Sequence, residues 1–186
     1  YLTVVLNESK RLSNLVSVFL DVSRFESGDI ELNQTSFDIN EMIRVVITSF
    51  ENIIKEKEIN VDVLYDREQS FVYADELAIH RVVVNLIENA TKFVNAGGNI
   101  RIEVLRRSKK TFVSVENTGS EISEEDRKFI WDRFYKADKS RTKNSKGMGL
   151  GLYIVKSIIN QHGEKIIIDS RDNKTKFIFS LKNAKS

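Results

Sequence analysis

Asn85-Leu86-Ile87-Glu88-Asn89-Ala90-Thr91-Lys92-Phe93 is the stretch on which the fold and chemistry of this chain turn. Helical spacing puts residues 85, 89, 92 and 93 on one face, which then carries two amides, an ammonium and an aromatic ring, while the other face is apolar. Asparagine is a poor helix former, so a plain solvated face does not account for two of them. Magnesium favours hard oxygen ligands, keeps several waters and is usually shared with substrate phosphates. An asparagine oxygen suits that ion, and Lys92 can neutralise phosphate charge.

Downstream, Gly119, Gly147, Gly149 and Gly151 fall in two short clusters and make up half of the 8 glycines. Glycine lets backbone approach a ligand with no Cβ in the way. Gly147-Met148-Gly149-Leu150-Gly151-Leu152 opens a helix that runs from Leu150 to Gln161 and is closed by Gly163, so its free N–H groups and positive dipole end offer a place for phosphate. Between the clusters, Phe134 to Lys146 is polar and lacks an apolar period. It reads as a loop with Lys136, Lys139, Arg141, Lys143 and Lys146 against Asp138.

The remaining segments frame these two helices. Asp38 with Glu41 predicts a capping box, and Phe37 with Met42 a hydrophobic staple, at the start of a helix reaching about Glu56. Ile59 to Tyr65 alternates as a half-buried strand does, and Phe71 to Ala74 is a second strand. Asp75 caps the long helix through about Val94. Gly97-Gly98 turns into a hairpin of strands near Asn99–Arg106 and Thr111–Glu116. Ser123-Glu124-Glu125-Asp126 predicts a further helix start. Strands Lys165–Ser170 and Lys176–Leu181 flank an Asp172-Asn173 turn. Such mixed order without strict alternation predicts an α+β layer rather than a doubly wound sheet. Tyr1 to Phe25 has a helical apolar stripe wide enough to need a cover, either a partner helix or the chain's own domain, and is stopped at Gly28.

Composition narrows the class. Hydrophobic content of 41% and charged content of 30% are those of a globular protein, and the net charge of +2 supplies no field that would make nucleic acid the main partner. No run approaches the ~18 apolar residues of a membrane span, and there is no signal-peptide pattern. Without cysteine there is no disulfide, thiolate metal site or redox nucleophile. The expectation is a cytoplasmic fragment of a longer protein, itself not embedded in a membrane.

In order and spacing, four stretches resemble the motif boxes of bacterial two-component sensor histidine kinases. NLIENATKF is similar to their N box, VENTGSEI to the first glycine box, FIWDRFYK to the F box and GMGLGL to the second glycine box. LDVSRFESG resembles the end of the second helix of their dimerisation and phosphotransfer hairpin. The resemblance implies two domains, residues 1–29 as part of that hairpin and 30–186 as a catalytic domain of the Bergerat-like ATP-binding fold, a two-layer α/β sandwich with one mixed sheet and helices on one face.

It further implies ATP and Mg2+ as ligands, with Asn89 holding the metal and Asn85 and Lys92 near the phosphates. Phe93 and Ile122 would border the adenine, Asn117 would meet its amino group and Gly119 would admit the base closely. Tyr135, Lys136 and Arg141 would belong to a lid. Gly147, Gly149, Leu150, Gly151 and Leu152 would line the phosphate end. The implied partners are a response regulator and the chain's own hairpin, within a homodimeric full-length protein that can itself be membrane-bound.

Two departures from the family pattern stand out. Asn117 replaces an aspartate and Glu121 the second glycine of its box, so weakened purine discrimination, or a catalytically weakened nucleotide-binding or dimerisation module, is the alternative. An amide can both donate and accept, whereas an ionised carboxylate only accepts. The phosphoacceptor motif is also missing. The two histidines, His80 and His162, read as structural, His162 as a partly charged imidazole at a helix C-terminus. The rival class with this fold, the gyrase, MutL and Hsp90-like ATPases, carries a glutamate base one helical turn before the magnesium asparagine. Here that position is Asn85, which cannot take a proton from water, and Glu88 points about 100° away from Asn89.

Overall fold

The computed structural model describes residues 31–136 and 149–185, together with Ser9. The chain divides into two compact units, Tyr1–Glu31 and Leu32–Ser186. Apart from Ser9, the helix expected over Tyr1–Phe25, its cap at Gly28 and the hairpin assignment of residues 1–29 lie outside the described residues.

The second unit opens with β1 (Gln34–Asp38), a strand not anticipated from the sequence, which pairs antiparallel with β3 (Phe71–Asp75) in register Phe37↔Val72. Helix α1 (Ile39–Ser49) starts where the Asp38 carboxylate accepts from the N–H of Asn40 at 3.1 Å and of Ser70 at 2.9 Å. The expected capping box is only half made, because Glu41 pairs with Arg44 at 3.0 Å, one turn on. The single helix expected to Glu56 is interrupted at Phe50, whose φ of −98° and ψ of 4° separate α1 from α2 (Glu51–Glu56). Ile39, Met42, Ile43 and Val46 keep the i, i+3, i+4, i+7 spacing that turns one face of α1 into the core.

The main sheet has five strands in the order β2-β4-β5-β7-β6: β2 (Asn60–Tyr65), β4 (Asn99–Arg106), β5 (Lys110–Thr118), β7 (Lys174–Lys182) and β6 (Ile166–Arg171). Only β2 and β4 run parallel, and the other pairs are antiparallel. Because side chains alternate across a strand, Ile100, Ile102, Val104, Val113, Val115, Phe177 and Phe179 all reach the inner face and are buried. The outer face instead carries cross-strand ion pairs, Asp62–Arg101 at 3.6 Å, Glu103–Lys176 at 2.6 Å and Glu116–Lys174 at 3.8 Å, and it leaves Leu64, Phe112 and Ile167 exposed. The helices therefore cover one face, as the two-layer sandwich expects.

Helix α3 (Glu76–Phe93) begins at Asp75, whose carboxylate accepts from the Ala78 N–H at 2.9 Å. Its Ile79, Val82, Val83, Leu86, Ile87 and Ala90 are buried, so its opposite, polar side is the one free to meet a ligand. Helix α4 (Gly151–Gln161) buries Ile154, Val155, Ile158 and Ile159 and ends at Gly163, φ +68°. The helix expected after Ser123 is a single 3-10 turn, Asp126–Lys128, started by the Ser123 hydroxyl accepting from the Asp126 N–H at 3.0 Å. Phe129, Ile130 and Trp131 follow the cap, but of the three only Ile130 is buried, and the helix does not propagate.

Candidate functional site

The polar side of α3 holds Asn85 and Asn89, both half-buried, and Lys92 and Phe93 in the last turn. Asn85 donates from Nδ2 to the Arg81 carbonyl at 2.8 Å, which turns its Oδ1 outward. That oxygen stands 2.9 Å from where a Cβ on Gly151 would project, so it faces the start of α4 and its unpaired N–H groups. The two helices thus converge with an amide oxygen against a glycine at a helix N-terminus.

Lys92 and Phe93 form the other wall. The Lys92 ammonium lies 5.0 Å from the Phe93 ring centroid, and Phe93 is 51% exposed. Burial lowers the Lys92 pKa from its ordinary value, and the nearby positive charge of Lys136 lowers it further. Lys92 is exposed as a whole residue, so its desolvation is partial. Two ammonium groups held near one another at the rim of a groove favour an anion between them.

At the inner end, Val94 forms an isolated antiparallel bridge with Gly119. Gly119 has φ +153°, and a Cβ there would lie 2.3 Å from the Phe93 carbonyl oxygen, so no other residue fits between β5 and the end of α3. Asn117, on the inner face of β5, is 2% exposed, and its amide donates to the Thr118 carbonyl at 3.3 Å. The loop that follows is stapled to the β6–β7 turn, where Asp172 and Asn173 both have positive φ (53° and 55°). The Gly119 N–H donates to the Asn173 carbonyl at 2.9 Å, and the Asn173 N–H donates to the Glu121 carboxylate at 2.7 Å. Ile122 is fixed from the same side, its N–H donating to the Ser170 hydroxyl at 2.8 Å and its carbonyl accepting from Arg127 at 3.2 Å.

Tyr135 donates to the Asp126 carboxylate and packs its ring 5.7 Å from Phe129. The bond lowers the Asp126 pKa and raises that of Tyr135. Gly149, φ +70°, lies directly against this segment, since a Cβ on it would meet the Tyr135 carbonyl oxygen at 2.6 Å. Leu150 is buried and Leu152 half-buried at the start of α4. Lys136 is exposed at the end of the described segment, while Arg141 and Gly147 lie outside it. Sequence reading missed Asp126 as the partner of Tyr135 and Arg127 as the clamp of the Ile122 loop. The Ser123 cap was the available signal for the first, and the second depends on Arg127 also reaching the Ser170 carbonyl, 43 residues away.

His162 differs from its expected form. Its Nδ1 lies 2.8 Å from the Ile158 carbonyl and its Nε2 3.0 Å from the Asp75 backbone nitrogen. A carbonyl only accepts and a backbone N–H only donates, so the ring is neutral with its proton on Nδ1. A charged imidazole would set N–H against N–H. A separate cleft of about 520 Å3, lined by Trp131, Arg133, Tyr153, Lys156 and Asn160, lies outside the cluster described above.

The comparisons with known proteins agree on one family. Residues 74–185 match the family described as histidine kinase-, DNA gyrase B- and HSP90-like ATPase. The sensor histidine kinase WalK of Bacillus subtilis (strain 168) is 35% identical over 185 residues, covering 97% of this chain and 30% of WalK. The solved catalytic domain of histidine kinase ThkA is 35% identical with a TM-score of 0.73, covering 83% of this chain and 97% of that one. ThkA solved in complex with the response regulator protein TrrA is 32% identical with a TM-score of 0.78, covering 97% of this chain and 50% of the other. The chain belongs to the histidine kinase-, DNA gyrase B- and HSP90-like ATPase family, within it as the ATP-binding catalytic domain of a bacterial sensor histidine kinase. It spans less than a third of the length of WalK.

Proposed function

We propose that this chain binds ATP with magnesium between α3 and α4 and passes the γ-phosphate to a histidine on a helical hairpin, for relay to an aspartate of a response regulator. The observation that carries the reading is the Asn85–Gly151 contact, which sets an amide-bearing helix face against a helix N-terminus, with Lys92 and Lys136 near the groove. A response regulator as partner is supported by the ThkA complex. The hairpin and a homodimeric full-length protein are part of the same reading, by likeness to the family. No helix among the described residues is long and apolar enough to cross a membrane, which accords with a cytoplasmic catalytic portion.

The donor set fits magnesium only together with nucleotide. Among the described residues no cluster of three or more His, Cys, Asp or Glu side chains could hold a metal by itself. Asn89 offers one neutral oxygen, and Mg2+ accepts such sparse protein ligation when phosphates and waters complete its shell. Asn89 would hold the ion, which when bound neutralises charge on the phosphates. Lys92 and Lys136 would bind phosphate oxygens, and the α4 N-terminus would orient them. Catalysis of this kind rests on positioning and charge neutralisation. Asn85 occupies the place a hydrolytic base would need and has no basic lone pair to offer, so water is not activated there.

Isothermal titration with a non-hydrolysable ATP analogue, with and without magnesium, tests this. Saturable binding strengthened by magnesium and lost in Asn89→Ala is the expected result. Absence of binding would favour a signalling or dimerisation module that does not use nucleotide. Phosphotransfer from ATP to a separately supplied hairpin then tests the kinase step.

A further inference from the structure

The two site helices touch at both ends of their shared length. At one end the Asn85 oxygen meets Gly151. At the other, the His162 ring follows the last turn of α4 and accepts from the Asp75 N–H at the N-cap of α3. From Asp75 to Asn85 is about 15 Å along α3, and from Gly151 to His162 is about 17 Å along α4. These near-equal lengths make the pair antiparallel, with one fastening at each end.

We propose that His162 is a positioning residue of the nucleotide site: its neutral imidazole sets the register of α4 against α3, and protonation of the ring releases that register and weakens nucleotide binding. This rests on the reading that nucleotide binds between the two helices. Asp75 is the centre of the fastening. Its N–H goes to His162, one carboxylate oxygen caps α3 at Ala78 and the other accepts from the Asn33 N–H at 2.9 Å. His162 is buried at 6% exposure, so water cannot take over either ring bond without local opening. Of Glu164, which adjoins it along the chain, Oε2 is committed to Lys110 at 2.7 Å and to the Ser180 hydroxyl at 2.5 Å, while Oε1 is buried without a hydrogen-bond partner among the described residues. Asp75 is likewise bound through its carboxylate to backbone N–H groups, so the Nε2 atom itself meets only a donor.

When the ring gains a proton on Nε2, the Asp75 N–H loses its acceptor and faces a second N–H. The start of α3 and the end of α4 then separate or turn, and the displacement is passed along two rigid helices to the Asn85–Gly151 end. A glutamine at 162 can place a carbonyl oxygen near the Nε2 position and does not titrate.

The test uses the whole 186-residue chain and two measurements. Nitrogen NMR of the histidine ring near pH 7.5 reads the tautomer without any ligand, and the proton is expected on Nδ1. Titration with the non-hydrolysable ATP analogue plus magnesium, at pH 7.5 and 5.5, compares wild type with His162→Gln. Wild-type affinity is expected to fall about twofold or more further than that of His162→Gln over this interval. The comparison cancels titration of the nucleotide phosphates, which both proteins share. A proton found on Nε2, or parallel pH profiles in the two proteins, would overturn the proposal while nucleotide binding stands. No binding by wild type at pH 7.5 would overturn the nucleotide reading and this one with it.

Discussion

The Asn85 oxygen lies in the space that a side chain at Gly151 would take, 2.9 Å from the Cβ position, so the two motifs that define the site are complementary in shape as well as in chemistry. Asn85 is the far end of a side chain and can turn away. Gly151→Ala is therefore expected to leave the fold intact and cost about 1 kcal/mol or less, with a loss of nucleotide affinity as its main effect. Gly119→Ala and Gly149→Ala meet backbone oxygens at 2.3 and 2.6 Å, and at positive φ. Each is expected to cost about 2–4 kcal/mol. Chemical denaturation of the three variants should give that order, and a Gly151→Ala as unstable as Gly119→Ala would refute it.

The base end of the groove is predicted to discriminate purines weakly. Asn117 is buried, and the one hydrogen bond its side chain makes among the described residues is a 3.3 Å contact with Thr118. The neighbouring acids are engaged elsewhere, Glu116 with Lys174 on the outer face and Glu121 with the Asn173 N–H. A neutral amide can accept from a 6-amino group or donate to a 6-oxo group. Affinities for ATP and ITP analogues, which differ at that position, should lie within about tenfold of one another. Asn117→Asp should widen the ratio, and an unchanged ratio would remove Asn117 from the site.

Much of this site is legible in the sequence because it depends on local periodicity. The face formed by residues 85, 89, 92 and 93, the Asp75 cap, the strands around Gly97-Gly98 and the Asp172-Asn173 turn all arise from contacts within a few residues. What was not legible depends on partners far along the chain. β1 exists because β3 offers it a ladder, and its Thr35 and Ser36 carry no apolar pattern of their own. The charge state of His162 is set by a backbone group 87 residues away. The break at Phe50 lies inside a sequence with no glycine or proline to announce it, and local propensity alone would carry the helix through.

Glu121, which stands where a glycine would be expected, is predicted to be structural. Its carboxylate holds the Asn173 N–H at 2.7 Å, a charge-assisted bond on the exposed β6–β7 turn. Glu121→Ala should lower stability by about 1 kcal/mol while nucleotide affinity changes little, because Gly119 and Ile122 remain tied to the same hairpin. A large loss of affinity at unchanged stability would instead place Glu121 in the groove.

The outer face of the sheet should show an acid-sensitive contribution to stability. Glu103 accepts from Lys176 at 2.6 Å and from Ser114 at 3.3 Å, spanning three strands. The Lys176 bond lowers its pKa below the ordinary value of 4.5. A carboxylate with a lowered folded-state pKa stabilises fully above its unfolded value, and that contribution disappears as pH falls through the lowered one. Glu103→Gln is expected to cost about 1 kcal/mol at pH 7 and nothing once both forms are neutral. Denaturation curves of the two proteins should converge below pH 4.5, and a constant gap down to strong acid would contradict the assignment.

The five-stranded sheet ends in β2 and β6, and among the described residues no strand pairs with the outer side of either. Such borders are natural templates for strand addition by a neighbouring copy. Here β6 carries Asp169 and Arg171, paired at 2.9 Å, and β2 carries Asp62, held at 3.6 Å by Arg101. A second copy joining strand to strand would have to strip water from these groups and set like charges side by side. The domain can therefore be crowded against its own kind without its sheets fusing into a continuous ribbon.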